Sequence, residues 1–210
     1  MVINASLGSR LNNGYCAALK AIDDDPQARV LVVAAAMNSG DTTPHYPAYC
    51  VEEGVNNLLS VGSVDSSGTN KDRLSSFSNR GCWVNSFAPG RQVLSTWSPT
   101  LAPPNGAVTL YEGGNYATWS GTSQAAAMVS GAAAVLWSMA PDKAAADIVT
   151  LLQQTSDSVI GLQCAGEVNG RKRGRINLSA AMAQVAQPKC SSTPPAESNR
   201  PQAPGNFSVQ

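Results

Sequence analysis

Ser123 stands at the start of an Ala-rich segment within Ser-Gly-Thr-Ser-Gln-Ala-Ala-Ala-Met-Val-Ser-Gly, residues 120–131. Residues 123–139 predict a buried helix. The first N–H groups of a helix lack internal partners, and the helix dipole adds partial positive charge there. A serine at this point places a nucleophile beside donors that can stabilise the oxyanion formed by attack on an amide. A Thr-Ser pair alone, however, is more often a helix N-cap without a catalytic role.

The longer string is more specific than the pair. It resembles the serine motif of the subtilisin-like serine proteases (subtilases), Gly-Thr-Ser-x-Ala-Ala followed by a later glycine. The resemblance implies that Ser123 is the nucleophile of a serine endopeptidase that acts through an acyl-enzyme, and that Thr122 belongs to the substrate-binding site. Ala127 and Met128 replace the family's usual proline and frequent histidine, which concerns packing more than chemistry.

A second match lies at residues 34–40, Ala-Ala-Ala-Met-Asn-Ser-Gly. It resembles the segment that ends the strand carrying the family's oxyanion asparagine, although Asn-Ser-Gly alone is usually a turn. The resemblance assigns the amide of Asn38 to the developing oxyanion, opposite the helix, and adds Ala36 and Met37 to the substrate-binding residues. Met37 replaces a glycine beside the S1 pocket, which suggests a narrowed pocket for small or flexible P1 side chains.

Ser6, Leu7 and Gly8 resemble the family segment that pairs with the substrate backbone and lines the S1 and S4 pockets. Strand addition of this kind lets a protease bind many sequences. Residues 46–48, 58–65, 77–79, 87–90 and 174–180 also keep the family's order. The resemblance thus covers residues 2–186.

The remaining triad residues have no counterpart in the sequence. A serine nucleophile needs a base and a carboxylate that orients the base, and in subtilases both precede the asparagine. The chain begins after both, so a missing N-terminal segment of the same domain is the expected partner. The single histidine, His45, lies in Thr-Thr-Pro-His-Tyr-Pro without the Gly and Thr that flank the family's catalytic histidine. We interpret it as a surface loop residue.

The order of elements predicts an α/β fold: a three-layer α/β/α arrangement with a mostly parallel sheet that lacks its N-terminal strands. Apolar runs predict strands at 2–5, 30–36 and 58–64, with a weaker one at 84–87 and a hairpin at 108–111 and 116–119. Helices are predicted at 12–24, at 123–139, from a cap at Asp142 to about residue 154, and at 178–185. Residues 1–186 form the domain, and the polar 187–210 a disordered tail or linker.

Charge and composition limit the partners. The net charge is zero, and no apolar run is long enough to cross a membrane, which argues against nucleic acid or a membrane as partner. A polypeptide substrate remains. We expect residues 23–25 and the basic cluster 171–175 to be solvated charges.

Five cysteines leave two alternatives open, namely two disulfides in a secreted or periplasmic protein, or buried thiols. Loop proximity in the inferred fold suggests Cys16–Cys50 and Cys164–Cys190. No metal site or cofactor is predicted. Structural calcium is common in the family and is left open, but no Asp-rich loop has convincing ligand spacing.

Two other hypotheses remain. The domain is a catalytically inactive pseudoprotease or peptide-binding domain, or it is a piece without an independent fold. Without its first strands the sheet has an unpaired edge. We therefore predict that the isolated chain is marginally stable and has no useful hydrolytic activity.

Overall fold

A parallel sheet of five strands forms the centre of the protein. The structure is a computed structural model that describes residues 1–66, 68–98, 100, 109–111, 115–164, 167–168 and 171–186. The strands are β1 Val2–Ala5, β2 Leu31–Ala35, β3 Leu58–Val64, β4 Ser86–Pro89, β5 Val93–Thr96, β6 Thr109–Tyr111, β7 Tyr116–Trp119, β8 Glu167–Val168, β9 Arg171–Lys172 and β10 Gly174–Arg175. The central sheet has the order β1-β2-β3-β4-β10.

Burial explains the continuous apolar runs. Every residue of β2 and β3 is buried, as expected for parallel strands covered on both faces. The predicted bounds of β1 and β3 are confirmed, and β2 is one residue shorter at each end. The bounds predicted for β4 are wrong, because Ala88 and Pro89 continue to pair with Ser63 and Val64. A proline is tolerated there at the end of the strand.

Helices cover both faces of the sheet. They are α1 Tyr15–Asp23, α2 Thr122–Met139, α3 Ala145–Gln154 and α4 Leu178–Ala186. Residues of α2, α3 and α4 share one apolar core with the sheet. Residues of α1 and of the 3-10 helix Ala48–Glu53 share the other. The three-layer prediction is confirmed.

Two small antiparallel sheets complete the described part of the fold. Strands β5, β7 and β6 form one, and β8 pairs with β9 in the other. The predicted hairpin is therefore present as β6 and β7, although Val108 lies outside the described residues. The predicted tail, residues 187–210, also lies outside them. No helix in the described ranges is long and apolar enough to cross a membrane.

One of the two predicted disulfides is correct. Cys16 in α1 is bonded to Cys50 in the 3-10 helix, with their Cα atoms 5.1 Å apart. The pairing of Cys164 with Cys190 is wrong, because Cys164 is bonded to Cys82. Sequence order did not reveal that the chain returns to the loop before β4. Cys190 lies outside the described residues.

Of the residues expected at the surface, Arg173 and His45 are buried, and the side chain of Asp23 is only 7% exposed. Arg173 is only 5% exposed, and it donates hydrogen bonds to the carbonyl oxygens of Val84, Gly81 and Cys164. This burial lowers the pKa of its guanidinium. Asp23 accepts the backbone N–H groups of residues 56 and 57 at 2.9 and 3.1 Å. His45 is 6% exposed, so its assignment to the surface is also wrong.

Candidate active site

The ends of β1 and β2 and the beginning of α2 meet at one edge of the central sheet. Ser6 follows β1 directly, Asn38 lies three residues beyond β2, and Thr122 and Ser123 are the first two residues of α2. Hydrogen bonds join these segments across more than 80 positions of sequence. Because carboxyl ends of parallel strands converge on such an edge, it is where ligands bind in open α/β sheets.

Thr122 fixes the amide of Asn38. Its backbone N–H donates to Asn38 Oδ1 at 2.8 Å, and its hydroxyl donates to the same oxygen at 3.0 Å. The hydroxyl oxygen in turn accepts the N–H of Met37 at 3.0 Å. Since Oδ1 receives two donors, the amide cannot flip without losing both. The Nδ2 group of Asn38 remains without a partner among the described residues.

The first turn of α2 leaves one N–H group available. The N–H of Thr122 is bonded to Asn38, and those of Gln124 and Ala125 donate to the carbonyl of Gly121 at 3.2 and 3.4 Å. In the ranges that the structure describes, no acceptor is bonded to the N–H of Ser123. A helix N-terminus with an open donor is a favourable position for negative charge. Asn38 Nδ2 and the Ser123 N–H are thus two open donors at one edge.

The hydroxyl of Ser123 is held only loosely. The side chain is half-buried, and Oγ lies 3.5 Å from the carbonyl oxygen of Ser6, the outer limit for a hydrogen bond. Ser6 Oγ donates to the carbonyl of Ser123 at 3.1 Å, which ties α2 to the end of β1. Within the described residues, no histidine or carboxylate is hydrogen-bonded to Ser123.

His45 lies elsewhere. Its Nδ1 atom is 3.0 Å from the carbonyl oxygen of Thr43 and 3.2 Å from Asn79 Nδ2. Neither contact leads to the serine hydroxyl.

Gly90 lets the helix terminus approach the sheet closely. The N–H of Gly121 donates to the Gly90 carbonyl at 2.7 Å, and a Cβ atom on Gly90 would lie 2.6 Å from the oxygen of Gly121. Such a distance is too short for any side chain. The resemblance of residues 87–90 to the family does not indicate this role. Only the tertiary contact reveals that Gly90 helps to position Ser123.

The predicted substrate-binding residues differ in accessibility. Leu7 is 53% exposed, whereas Ala36 is fully buried and donates its N–H to Val61. Met37 has a backbone φ of 78°, in the left-handed region that favours glycine. Its sulfur would lie 2.8 Å from a Cβ atom on Gly8. The thioether therefore covers the backbone of Gly8, and the roles in substrate binding stay predictions.

An open cleft of about 560 Å³ adjoins Ser123. One wall is the start of α2 and the other is β5. Its lining residues are Ser6, Val93, Leu94, Ser95, Ser123, Gln124, Ala127 and Met128. The described residues contain no cluster of three or more His, Cys, Asp or Glu side chains that could hold a metal ion.

Comparisons with known proteins agree with this α/β fold. The model of the subtilase family matches residues 1–190. The chain therefore belongs to the subtilase family of serine proteases.

Individual relatives support the family and show how much of a subtilase is represented. Thermitase from Thermoactinomyces vulgaris is 34% identical over 174 residues, which are 81% of this chain and 53% of thermitase. A Xanthomonas campestris protein named Extracellular protease is 31% identical over 86% of this chain and 28% of its own length. A solved protease from Pseudoalteromonas arctica is 24% identical with a TM-score of 0.63, covering 88% of this chain and 51% of that one. The chain spans about half or less of these proteins.

Proposed function

We propose that the chain supplies the nucleophile and the oxyanion site of a serine endopeptidase. The single observation that carries this proposal is the bond between Thr122 and Asn38, which leaves Asn38 Nδ2 and the Ser123 N–H as open donors. Ser123 Oγ attacks the carbonyl carbon of the scissile peptide bond, and these two groups donate to the resulting oxyanion. When the C–N bond breaks, the amine leaves with a proton and the acyl group stays on Ser123. Water then hydrolyses the acyl-enzyme and releases the acyl group as a carboxylic acid.

Proton transfer requires groups that lie outside the 210 residues. A triad needs a base to accept the proton of Ser123 Oγ and a carboxylate to orient that base. We assign both to an N-terminal segment of the same protease domain. The chain covers 53% of thermitase, so that relative contains residues beyond the matched part.

The surface beside the cleft offers a place for that segment. The outward face of α2 exposes Met128, Val135 and Met139 by about 40% each, and the whole helix contains no charged residue. Strand β1 lies at the edge of the sheet, next to this helix. An uncharged apolar face beside an unpaired strand edge is typical of a surface that another part of a protein covers.

The expected substrate is a polypeptide in extended conformation along Ser6, Leu7 and Gly8. Small or flexible P1 residues are preferred, because the thioether of Met37 covers Gly8. The chemistry needs no cofactor, metal, nucleic acid or membrane. The two disulfides and the Xanthomonas relative's name support a secreted or periplasmic location.

The test compares the full-length gene product with the 210-residue chain. A fluorophosphonate probe should label Ser123 in the full-length protein, and Ser123→Ala should abolish both labelling and casein cleavage. Asn38→Ala should lower kcat by about 100- to 1,000-fold, a range that comes from a subtilisin itself. The 210-residue chain should show neither reaction. Casein cleavage by the full-length Ser123→Ala variant would contradict the proposal.

A separate experiment tests whether another segment covers the outward face of α2. Val135 and Ile160 are exposed to similar extents, 44% and 50%, but the neighbours of Ile160 pack with the core on the opposite face of the sheet. Val135→Lys should destabilise the full-length protein by about 1.5–3 kcal/mol, the value of a buried aliphatic side chain, and leave the 210-residue chain unchanged. Ile160→Lys is the matched control and should affect neither. Equal effects of the two variants would contradict the assignment.

A peptide-binding domain without catalysis is the second candidate, favoured by the lack of any base bonded to Ser123 among the described residues. It predicts that the full-length protein binds extended peptides, that Ser123 does not react with the probe, and that peptide-bond cleavage is undetectable. The labelling experiment therefore separates the two candidates.

A further inference from the structure

The loop that carries Asn38 is bonded on both sides to one buried residue, Asn79. The backbone N–H of Asn79 donates to the carbonyl of Met37 at 2.9 Å. The N–H of Ser39 donates to Asn79 Oδ1 at 2.8 Å. Asn79 thus contacts the residue before Asn38 and the residue after it, and it is 0% exposed.

The rest of the segment extends this connection. The N–H of Gly40 donates to the carbonyl of Phe77 at 2.8 Å, and the N–H of Arg80 donates to the carbonyl of Asp41, also at 2.8 Å. The backbone of residues 37–41 is therefore attached along its length to residues 77–80. Within this pairing, only the contact from Ser39 to Asn79 depends on a side-chain acceptor.

The conformation of Met37 makes this attachment necessary. Its φ of 78° is unfavourable for a residue with a side chain, and such conformations persist where the surroundings hold them. Two hydrogen bonds hold Met37 at this point, from its N–H to Thr122 Oγ1 and from Asn79 to its carbonyl. If the loop relaxed around Met37, the side chain of Asn38 would change direction.

The side chain of Asn79 also contacts the ring of His45. Its Oδ1 accepts the Ser39 N–H, so its Nδ2 must face His45 Nδ1, 3.2 Å away. The same ring nitrogen lies 3.0 Å from the carbonyl oxygen of Thr43, which can only accept, so either tautomer of His45 satisfies only one of the two contacts. The backbone bond to Met37 and the bond from Ser39 therefore connect Asn79 to the loop without a required contribution from His45.

We propose that Asn79 is a positioning residue for the oxyanion donor Asn38. It does not touch the substrate. It holds the loop backbone on both sides of Asn38, so that the amide fixed by Thr122 points to the oxyanion. This inference rests on the proposed function, because it assumes that Asn38 stabilises the transition state.

A double-mutant cycle in the full-length gene product tests the inference. Asn79→Ala should lower kcat by about 10- to 100-fold at nearly unchanged KM, since a displaced catalytic group costs rate rather than ground-state binding. In an Asn38→Ala background the same change should lower kcat by no more than about twofold, because residues that act through one another are not additive. Equal losses in both backgrounds would overturn the proposal.

A matched control separates positioning from general stability. Asn85 also uses Oδ1 to accept a backbone N–H, that of Ser60 at 2.9 Å, but the described contacts give it no bond to residues 37–41. Asn85→Ala should lower the Tm as Asn79→Ala does and leave kcat of the folded enzyme unchanged. If Asn79→Ala does not fold, Asn79→Ser carries the same cycle. An equal loss of kcat in the control would refute a specific role.

The outcomes also separate this inference from the proposed function. If Asn38→Ala retains full kcat, the oxyanion assignment fails, and the inference fails with it. If Asn38→Ala loses kcat and Asn79→Ala does not, only the positioning role is refuted.

Discussion

Thr122→Val removes a hydroxyl that accepts the backbone N–H of Met37 and donates to the side chain of Asn38. Thr122 is fully buried, and valine keeps the shape of the side chain. The change leaves the N–H of Met37 without its acceptor and removes one of the two donors to Asn38 Oδ1. An unsatisfied buried N–H costs about 1–3 kcal/mol, and a lost hydrogen bond about 1 kcal/mol. We expect the free energy of unfolding to fall by about 2–3 kcal/mol, once partial relaxation of the loop is allowed for.

This loss corresponds to a decrease in Tm of about 4–12 °C for a domain of this size. The effect on rate should be smaller than that of Asn38→Ala, because the N–H of Thr122 still donates to Asn38 Oδ1 at 2.8 Å. With one of two anchors left, kcat should fall about tenfold, and KM should change little because the donor acts mainly in the transition state.

Calorimetry and initial rates, with active sites titrated by a fluorophosphonate, measure both quantities in the full-length gene product. Thr122→Ser retains the hydroxyl and is the matched control, with a Tm and a kcat near those of the parent. The reasoning is refuted if Thr122→Val is as stable and active as the parent. It is also refuted if the serine variant is as impaired as the valine variant.

Three further predictions concern Met37, Arg173 and the disulfide Cys82–Cys164. Met37→Gly uncovers Gly8 and should raise kcat/KM for substrates with a large P1 residue, relative to alanine at P1, by about 10- to 200-fold in competition assays; an unchanged ratio would exclude Met37 from the pocket. Arg173→Leu removes the donor to three carbonyl groups and should lower the free energy of unfolding in urea by about 3–5 kcal/mol, because each unsatisfied acceptor costs about 1–3 kcal/mol before relaxation; a loss under 1 kcal/mol would contradict this. Replacing Cys82 and Cys164 by serine opens a loop with a sequence separation of 82 and should cost about 4 kcal/mol in the same measurement, whereas no loss would show that the bond does not stabilise the fold.

Local patterns were sufficient for the main elements of the fold. The apolar runs of β2 and β3 and the Ala-rich α2 are determined by burial, which short stretches of sequence display directly. The serine motif and the segment around Asn38 were predicted as parts of one site only through their resemblance to subtilase motifs, because each pattern alone is more often an N-cap or a turn. The structure brings them together at one edge of the sheet.

Contacts between distant parts of the chain explain the burial and the disulfide pairing that the sequence did not reveal. Arg173 lies in a basic cluster, and only the three carbonyl groups around it explain its burial. His45 resembles a loop residue until its contact with Asn79 is known. Cys82 and Cys164 are 82 positions apart, and their pairing depends on the return of the chain to the loop before β4. Spacing carries no information on such contacts.

The proposed catalysis has two parts, stabilisation of the oxyanion and proton transfer, and the described site contains the groups for the first. The open donors, Asn38 Nδ2 and the Ser123 N–H, belong to a strand end and a helix start that share one sheet and are tied by Thr122. Electrostatic stabilisation of this kind is usually the largest single contribution to catalysis, and without a triad it still leaves about 10³–10⁴-fold acceleration over water. In the proposed function, proton transfer depends on groups outside these residues. The 210-residue chain should therefore contain the two donors for the oxyanion. It should nevertheless remain without useful activity, because a serine hydroxyl that keeps its proton is a poor nucleophile.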